Sequence, residues 1–209
     1  MRLASRALRR TTRAAAASSV DSDGLLTRAP VFPRRLRDHW LEGHAAEVAE
    51  LAIELGRDAG FSAARLFELE LAARLHDVGK RAVPPAILRK PGRLSDVEWA
   101  VIRRHPEWGS EMLADVPGLE AVADAVHAHH EHWDGNGYPQ GLADPDIPFA
   151  SRIVAVCEAF SAMTTERPYC GVRTVAEALA ELRRCAGTQF DPAVVEAFVT
   201  RFPEQAEVS

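Results

Sequence analysis

The stretch Leu75-His-Asp-Val-Gly-Lys80 constrains this chain more than any other, because it sets two adjacent metal-binding side chains at the end of an apolar helix. The segment leading into it, from about Ser62, carries Leu66, Leu69, Ala72, Ala73 and Leu75 at the spacing of a largely buried helix. His76 lies seven residues beyond Leu69 and therefore points inward, and Gly79 is expected to support a tight exit from the helix. A neutral imidazole beside a carboxylate suits manganese, iron or zinc. A lone histidine on an apolar face is more often a hydrogen-bonded core residue than a ligand, so the metal interpretation requires further donors from the rest of the chain.

Those donors recur at inward positions. A helix is expected from Pro33 to about Leu55, stopped by Gly56, with Trp40, His44, Val48, Leu51 and Leu55 on one stripe. Residues 81 to 94, broken by Pro84-Pro85 and Pro91-Gly92, read as loop. Ser95-Asp-Val-Glu98 is a capping box, and the helix it announces puts Ile102, His105, Gly109 and Met112 on one face, with Pro106 kinking or restarting it. Pro117-Gly118 opens a helix that aligns Leu119, Val122, Val126 and His130 and ends in His129-His130. Neighbours on a helix diverge by about 100°, so both can face one site only near a helix end.

Residues 131 to 149 hold Asp134, Gly135, Asn136, Gly137, Pro139, Gly141 and Pro145, too many turn formers for regular structure. A loop of this length in a compact domain is usually functional. Residues 150 to 164 then form a helix with Val154, Glu158 and Ser161 on one face, and Thr174 to Glu177 is a second capping box ahead of Ala178, Leu179, Leu182 and Cys185. Asp191-Pro192 pairs an N-cap with proline at the first helical position and starts a last helix through about Arg201. With no strand pattern and no internal repeat, the fold class is all-α.

The 209 residues, 47% hydrophobic and 26% charged, fit one globular domain with a substantial core. Cys157, Cys170 and Cys185 are too scattered for a zinc knuckle or a disulfide framework, which fits a reducing compartment. No apolar run approaches the roughly 18 residues of a membrane span, so a cytoplasmic location is expected. Charge is uneven: nine arginines and three aspartates in residues 1 to 38 give +6, which leaves −11 on the remainder. Residues 1 to 35 are accordingly expected to be a basic, disordered tail or an over-extended start of the reading frame, ahead of a domain at 36 to 205. The tail lacks the aromatic interleaving of a specific nucleic-acid contact, and it resembles an organellar leader only in its arginines and its lack of acids before Asp21.

Five histidines, His44, His76, His105, His129 and His130, together with Asp77 and Glu158, thus converge from separate helices, enough donors for two six-coordinate ions with positions left for water or substrate. These residues, followed by Glu131-His-Trp-Asp-Gly-Asn-Gly-Tyr-Pro139 and Arg167-Pro-Tyr169, resemble the HD-GYP family over residues 38 to 200. The resemblance implies an HD-superfamily helical bundle with a long Gly/Pro-rich loop. It also implies a bacterial signalling phosphodiesterase that hydrolyses cyclic di-GMP to linear pGpG or GMP. By the same resemblance one divalent ion, iron or manganese, is held by His44, His76, Asp77 and Glu158. The second is held by Asp77, His105, His129 and His130, so that Asp77 bridges. Lys80 stabilises charge on the scissile phosphate, Gly137, Tyr138 and Pro139 shape the substrate site, and Arg167 holds a phosphate. Water is the nucleophile, so no side chain is expected to form a covalent bond to phosphorus.

Three positions depart from the family pattern. Glu158 and Ser161 stand where two aspartates are usual, and Cys170 stands where a basic residue is. Loss of a charged partner behind a ligand typically costs about 10–100-fold in affinity or activity, so reduced activity is expected. Trp40 stands where members with three metals carry glutamate, which favours two ions. The alternatives are a module that binds cyclic di-GMP or a protein partner without turnover, and a phosphohydrolase acting on another nucleotide. Input is expected from a partner, from substrate level, or from metal and redox state, and the expected protein contact is a signalling partner or a homodimer.

Overall fold

The computed structural model describes residues 39–165 and 171–203, with side chains from residue 43. The basic tail, the Trp40 side chain, Arg167 and Cys170 lie outside the described residues. Among the described residues nine α-helices follow one another: α1 (His39–Asp58), α2 (Ala63–Leu75), α3 (Pro85–Leu88), α4 (Asp96–Ile102), α5 (His105–Ala114), α6 (Glu120–His127), α7 (Phe149–Thr164), α8 (Val175–Arg184) and α9 (Pro192–Val199). Short 3-10 turns occupy Val78–Ala82 and Asp144–Asp146. Among the described residues there is no strand, only the isolated bridges Asp134–Ala143 and Ala186–Phe190, and no helix long and apolar enough to cross a membrane.

Local chemistry sets the helix starts. Ser62 Oγ accepts from Arg65 N ahead of α2. Both capping boxes close, Ser95 with Glu98 and Thr174 with Glu177, and Asp191 Oδ1 accepts from Ala193 N with Pro192 in the first turn. α1 packs along α2 and α7, and α2 also meets α6. α5 lies against α6 and the first 3-10 turn, while α8 and α9 cover α7. The core therefore runs through Val48, Leu69, Val126, Ile153, Leu179 and Phe198, all fully buried. Phe160 and Phe198 tilt together at 5.0 Å between α7 and α9. Arg201 at the end of α9 pairs with Glu54 and Asp58 on α1, tying the last helix to the first.

Several expectations need correction. Gly56 does not stop α1, which runs on to Asp58; a Cβ there would come within 2.7 Å of Leu69 Cδ2, so this glycine serves the close crossing of α1 and α2. The turn is made by Gly60, with φ at +74°. Gly79 is likewise no left-handed exit: it lies inside the 3-10 turn, and a Cβ there would fall on the His105 carbonyl oxygen and within 2.5 Å of Gly109 N. Residues 81 to 94 are not wholly loop, since α3 occupies four of them. Pro106 restarts the rod, so α4 and α5 are separate helices, and the break resets the phase: Leu113 is buried where Met112, 36% exposed, was expected.

Candidate metal centre

Three helix ends meet at the first histidines. Carbonyls in the last turn of a helix have no in-helix donor, and here imidazoles supply one. His76 Nδ1 donates to Ala73 O at 2.7 Å at the end of α2, His105 Nδ1 to Ile102 O at 2.8 Å at the end of α4, and His129 Nδ1 to Val126 O at 2.6 Å at the end of α6. Each bond fixes the Nδ1–H tautomer and leaves the Nε2 lone pair free for a cation. His44 comes from the interior of α1 and is held differently: its Nδ1 lies 2.9 Å from Ser161 Oγ on α7. All four rings are buried.

The donors fall into two groups, each with ligand atoms within 4.8 Å of one another: His44, His76 and Glu158, and His105, His129 and His130. Glu158 thus reaches the first group despite its extra methylene. Between the groups lies Asp77. Its Oδ2 is 3.5 Å from His76 Nε2 and its Oδ1 is 3.3 Å from His105 Nε2, so each oxygen faces one group. His105 Nε2 and His129 Nε2 stand only 3.2 Å apart, and both already carry their proton on Nδ1. His76 Nε2 and Asp77 Oδ1 are buried with no hydrogen-bond partner among the described residues. Lone pairs that face each other, and buried acceptors with no donor, are unfavourable unless a cation lies among them. The donor set, imidazole nitrogens with carboxylates, fits a borderline or hard divalent ion.

Electrostatics point the same way. Burial would raise the Asp77 carboxyl, yet His76, Lys80, His105 and His129 around it hold it below the ordinary carboxylate range. Burial pushes His129 and His130 well below the ordinary imidazole value and lowers His105 as well, so the rings are neutral and able to ligate.

Lys80 sits at the rim with Nζ 2.6 Å from Asp77 Oδ2. Tyr138 stacks on His130, centroids 4.8 Å apart and planes at 26°, and Arg103 covers Tyr138 at 5.5 Å from its centroid. Gly137 permits this: a Cβ there would overlap His132 N and come within 2.5 Å of Glu131 Cα. Tyr138 N donates to His130 O at 3.1 Å, and Pro139, half-buried, follows across a cis peptide. The loop is pinned from below by buried Glu131, whose carboxylate accepts from Gln140 N at 2.7 Å and Leu142 N at 3.1 Å. Beside the donors a cleft opens, lined by His129, His130, Glu158, Ala159, Ala162 and Phe190.

The structure therefore gathers His44, His76, Asp77, Lys80, His105, His129, His130, Gly137, Tyr138, Pro139 and Glu158 in one region, and Arg167 lies outside the described residues. Sequence reasoning missed Glu47, Arg103 and Glu131. Glu47 stands three residues after His44, on the same side of α1, and Glu131 directly follows the histidine pair; both signals were present.

The family model described as HD domain matches residues 33–194. The chain is 37% identical over 174 residues to a cyclic di-GMP phosphodiesterase of Thermotoga maritima, covering 82% of this chain and 47% of the relative. To a cyclic di-GMP phosphodiesterase of Pseudomonas aeruginosa it is 42% identical over 163 residues, covering 78% and 39%. Its fold is similar to the crystal structure of a cyclic GMP-AMP-specific phosphodiesterase of Vibrio cholerae, with TM-score 0.61 and 22% identity over 78% of this chain and 44% of that one. The chain spans less than half the length of the two curated relatives.

Proposed function

Since this chain belongs to the HD domain family, and within it to the HD-GYP group, we propose that residues 36 to 205 form a phosphodiesterase domain that hydrolyses cyclic di-GMP using two divalent metal ions, iron or manganese. The observation that carries this is Asp77, a largely buried carboxylate with one oxygen toward each group of donors and a buried Oδ1 that has no hydrogen-bond partner among the described residues.

A bound pair of divalent ions supplies Lewis acidity toward the phosphate and acidifies water enough for it to act as nucleophile near neutral pH. The protein's own part is to hold and orient. His44, His76 and Glu158 present one set of lone pairs, His105, His129 and His130 the other, and Asp77 joins them. Lys80 sits at the rim, where its ammonium can turn from Asp77 toward a phosphate oxygen as negative charge develops there. Tyr138, flat against His130, offers a wall for a nucleobase, and Arg103 and Arg167 are the cations for the phosphates. The product is the linear dinucleotide pGpG, GMP, or both. Residues 1 to 35, basic in sequence, precede the domain, and the protein acts in the cytoplasm with a signalling partner or as a homodimer.

The test is turnover of cyclic di-GMP by full-length protein reconstituted anaerobically with manganese or iron, with Asp77→Ala alongside and cyclic GMP-AMP as comparison substrate. Cyclic di-GMP hydrolysis is expected to fall at least about 100-fold in Asp77→Ala, more than the about 10–100-fold typical of residues behind a ligand. Hydrolysis that survives the substitution would refute the arrangement, and binding without turnover by the wild type would replace the enzyme with a sensor.

A further inference from the structure

We propose that Glu47 is a positioning residue for the donor group that contains His44, acting through Ser161; the inference rests on the metal centre described above. The argument starts from how each ligand imidazole finds an acceptor for its Nδ1–H. His76, His105 and His129 use carbonyls left over at helix ends. His44 stands inside the twenty-residue α1, where neighbouring carbonyls are taken by the helix ladder, so its acceptor has to come from another element. That element is α7, through Ser161 Oγ at 2.9 Å.

A serine hydroxyl has one proton and can donate it once. Ser161 donates it to Glu47 Oε2 at 2.7 Å, so toward His44 the serine oxygen must accept, and His44 must carry its proton on Nδ1. The ring's lone pair is then on Nε2. The Glu47 carboxylate is fixed a second time by Thr165 Oγ1, which donates to the same oxygen at 3.0 Å. Ser161 is fully buried and lies one turn after Glu158 on α7, while Glu47 lies one turn after His44 on α1. The pair thus links the two helices that supply two of the three donors in this group.

This changes the meaning of a serine at position 161. The negative charge absent there is provided from α1 and conveyed to the imidazole by the hydroxyl. The group His44, His76 and Glu158 keeps a carboxylate behind its histidine, at one remove. The dependence is local: among the described residues nothing comparable connects Glu47 to His105 or His129, whose tautomers are set by backbone carbonyls.

The experiment is titration of Mn2+ into the metal-stripped full-length chain, read by calorimetry and by counting bound ion after desalting, with wild type, Glu47→Gln, and Glu47→Gln combined with Ser161→Asp. Wild type is expected to bind two ions. Glu47→Gln is expected to keep one affinity and to weaken the other by about 10–100-fold, the usual scale for partners behind a ligand, while its metal-free melting temperature follows wild type. Ser161→Asp in that background is expected to recover the lost affinity by placing the carboxylate directly against His44. Unchanged binding of both ions by Glu47→Gln, equal weakening of both, or no recovery in the double variant would each overturn the role of Glu47 while leaving the metal centre in place. Fewer than two ions on the wild type would instead remove the metal centre itself, and the relay with it.

Discussion

Gly79→Ala is the substitution whose effect follows most directly from the backbone. The added Cβ would land on the His105 carbonyl oxygen, 2.5 Å from Gly109 N and 2.9 Å from His105 C, all backbone atoms that cannot swing aside. Real Cβ contacts essentially never fall below 3.0 Å, so the 3-10 turn and α5 have to part by at least about half an ångström, and by more at the carbonyl. Forcing one methyl into a packed interface typically costs about 1–3 kcal/mol, which for a domain of this size lowers Tm by about 2–12 °C. The same displacement moves His105 away from Asp77, whose Nε2–Oδ1 distance is 3.3 Å, and metal sites tolerate shifts of only about 0.2 Å in ligand distance. Melting of metal-free protein and a count of bound Mn2+ together read both effects, with loss of the His105 group's ion expected. Gly43→Ala is the control: among the described residues nothing lies within 4 Å of its Cβ, it sits in α1, and the same methyl is expected there to stabilise by about 0.5–1 kcal/mol. If Gly79→Ala melted like wild type and kept both ions, the close approach would not be what holds His105 against Asp77.

Two further outcomes are expected. In chelator, stability should fall with acidification. Burial keeps His105, His129 and His130 neutral in the folded chain, whereas in the unfolded chain they take up protons below about pH 6.5. The stability they leave intact at pH 7 is therefore lost progressively as pH drops from 6.5, at up to about 1.4 kcal/mol per pH unit for each ring. Urea unfolding between pH 7 and 5 measures this slope, and a flat profile would mean the rings protonate in the folded state without penalty. Glu131→Gln should loosen the Gly-Tyr-Pro loop, because an amide offers a single oxygen to the Gln140 and Leu142 N–H groups and a donor in place of the other. A loss of about 1–3 kcal/mol is expected, with faster hydrogen exchange at those two amides; unchanged exchange would show that the loop is held elsewhere.

The features legible in the sequence are those whose cause is local. Capping boxes at Ser95 and Thr174 and the Asp191-Pro192 start depend only on residues within one turn, and each is formed. The inward faces of His44, His76 and His105 followed from helical spacing to nearby apolar residues, whereas spacing aligned His130 with Val122 and Val126, and it is His129, past the helix end at His127, that is fully buried. Glycine was legible as special but not as to why: Gly56 read as a helix stop and Gly79 as a tight helix exit, whereas both serve a close approach that only the packing reveals. Met112 was misplaced because the turn at Arg103–Arg104 shifts the phase of everything after it, and residue spacing carried across a break loses its meaning. Glu47 was overlooked although it stands one turn after His44 on the same side of α1, because a glutamate ordinarily faces water and the hydroxyl that meets it comes from α7.

The same distinction explains why the histidines stand where they do. A helix C-terminus carries partial negative charge as well as unpaired carbonyls. The ends of α2, α4 and α6 are brought to one place by the packing of α2 and α5 on α6, and each end is occupied by an imidazole that satisfies a carbonyl with one nitrogen and offers the other inward. The negative ends of α2 and α6 together with Asp77 make the region attractive to cations before any ligand atom is counted, each helix end contributing on the order of 0.3–1 kcal/mol, whereas the end of α4 is offset by the N-terminus of α5 beside it. The histidine after an apolar helix is thus one device solving two problems, closing the helix and directing a lone pair. His44 cannot use it, being in mid-helix, and that is why its place in the centre depends on side chains from both α1 and α7.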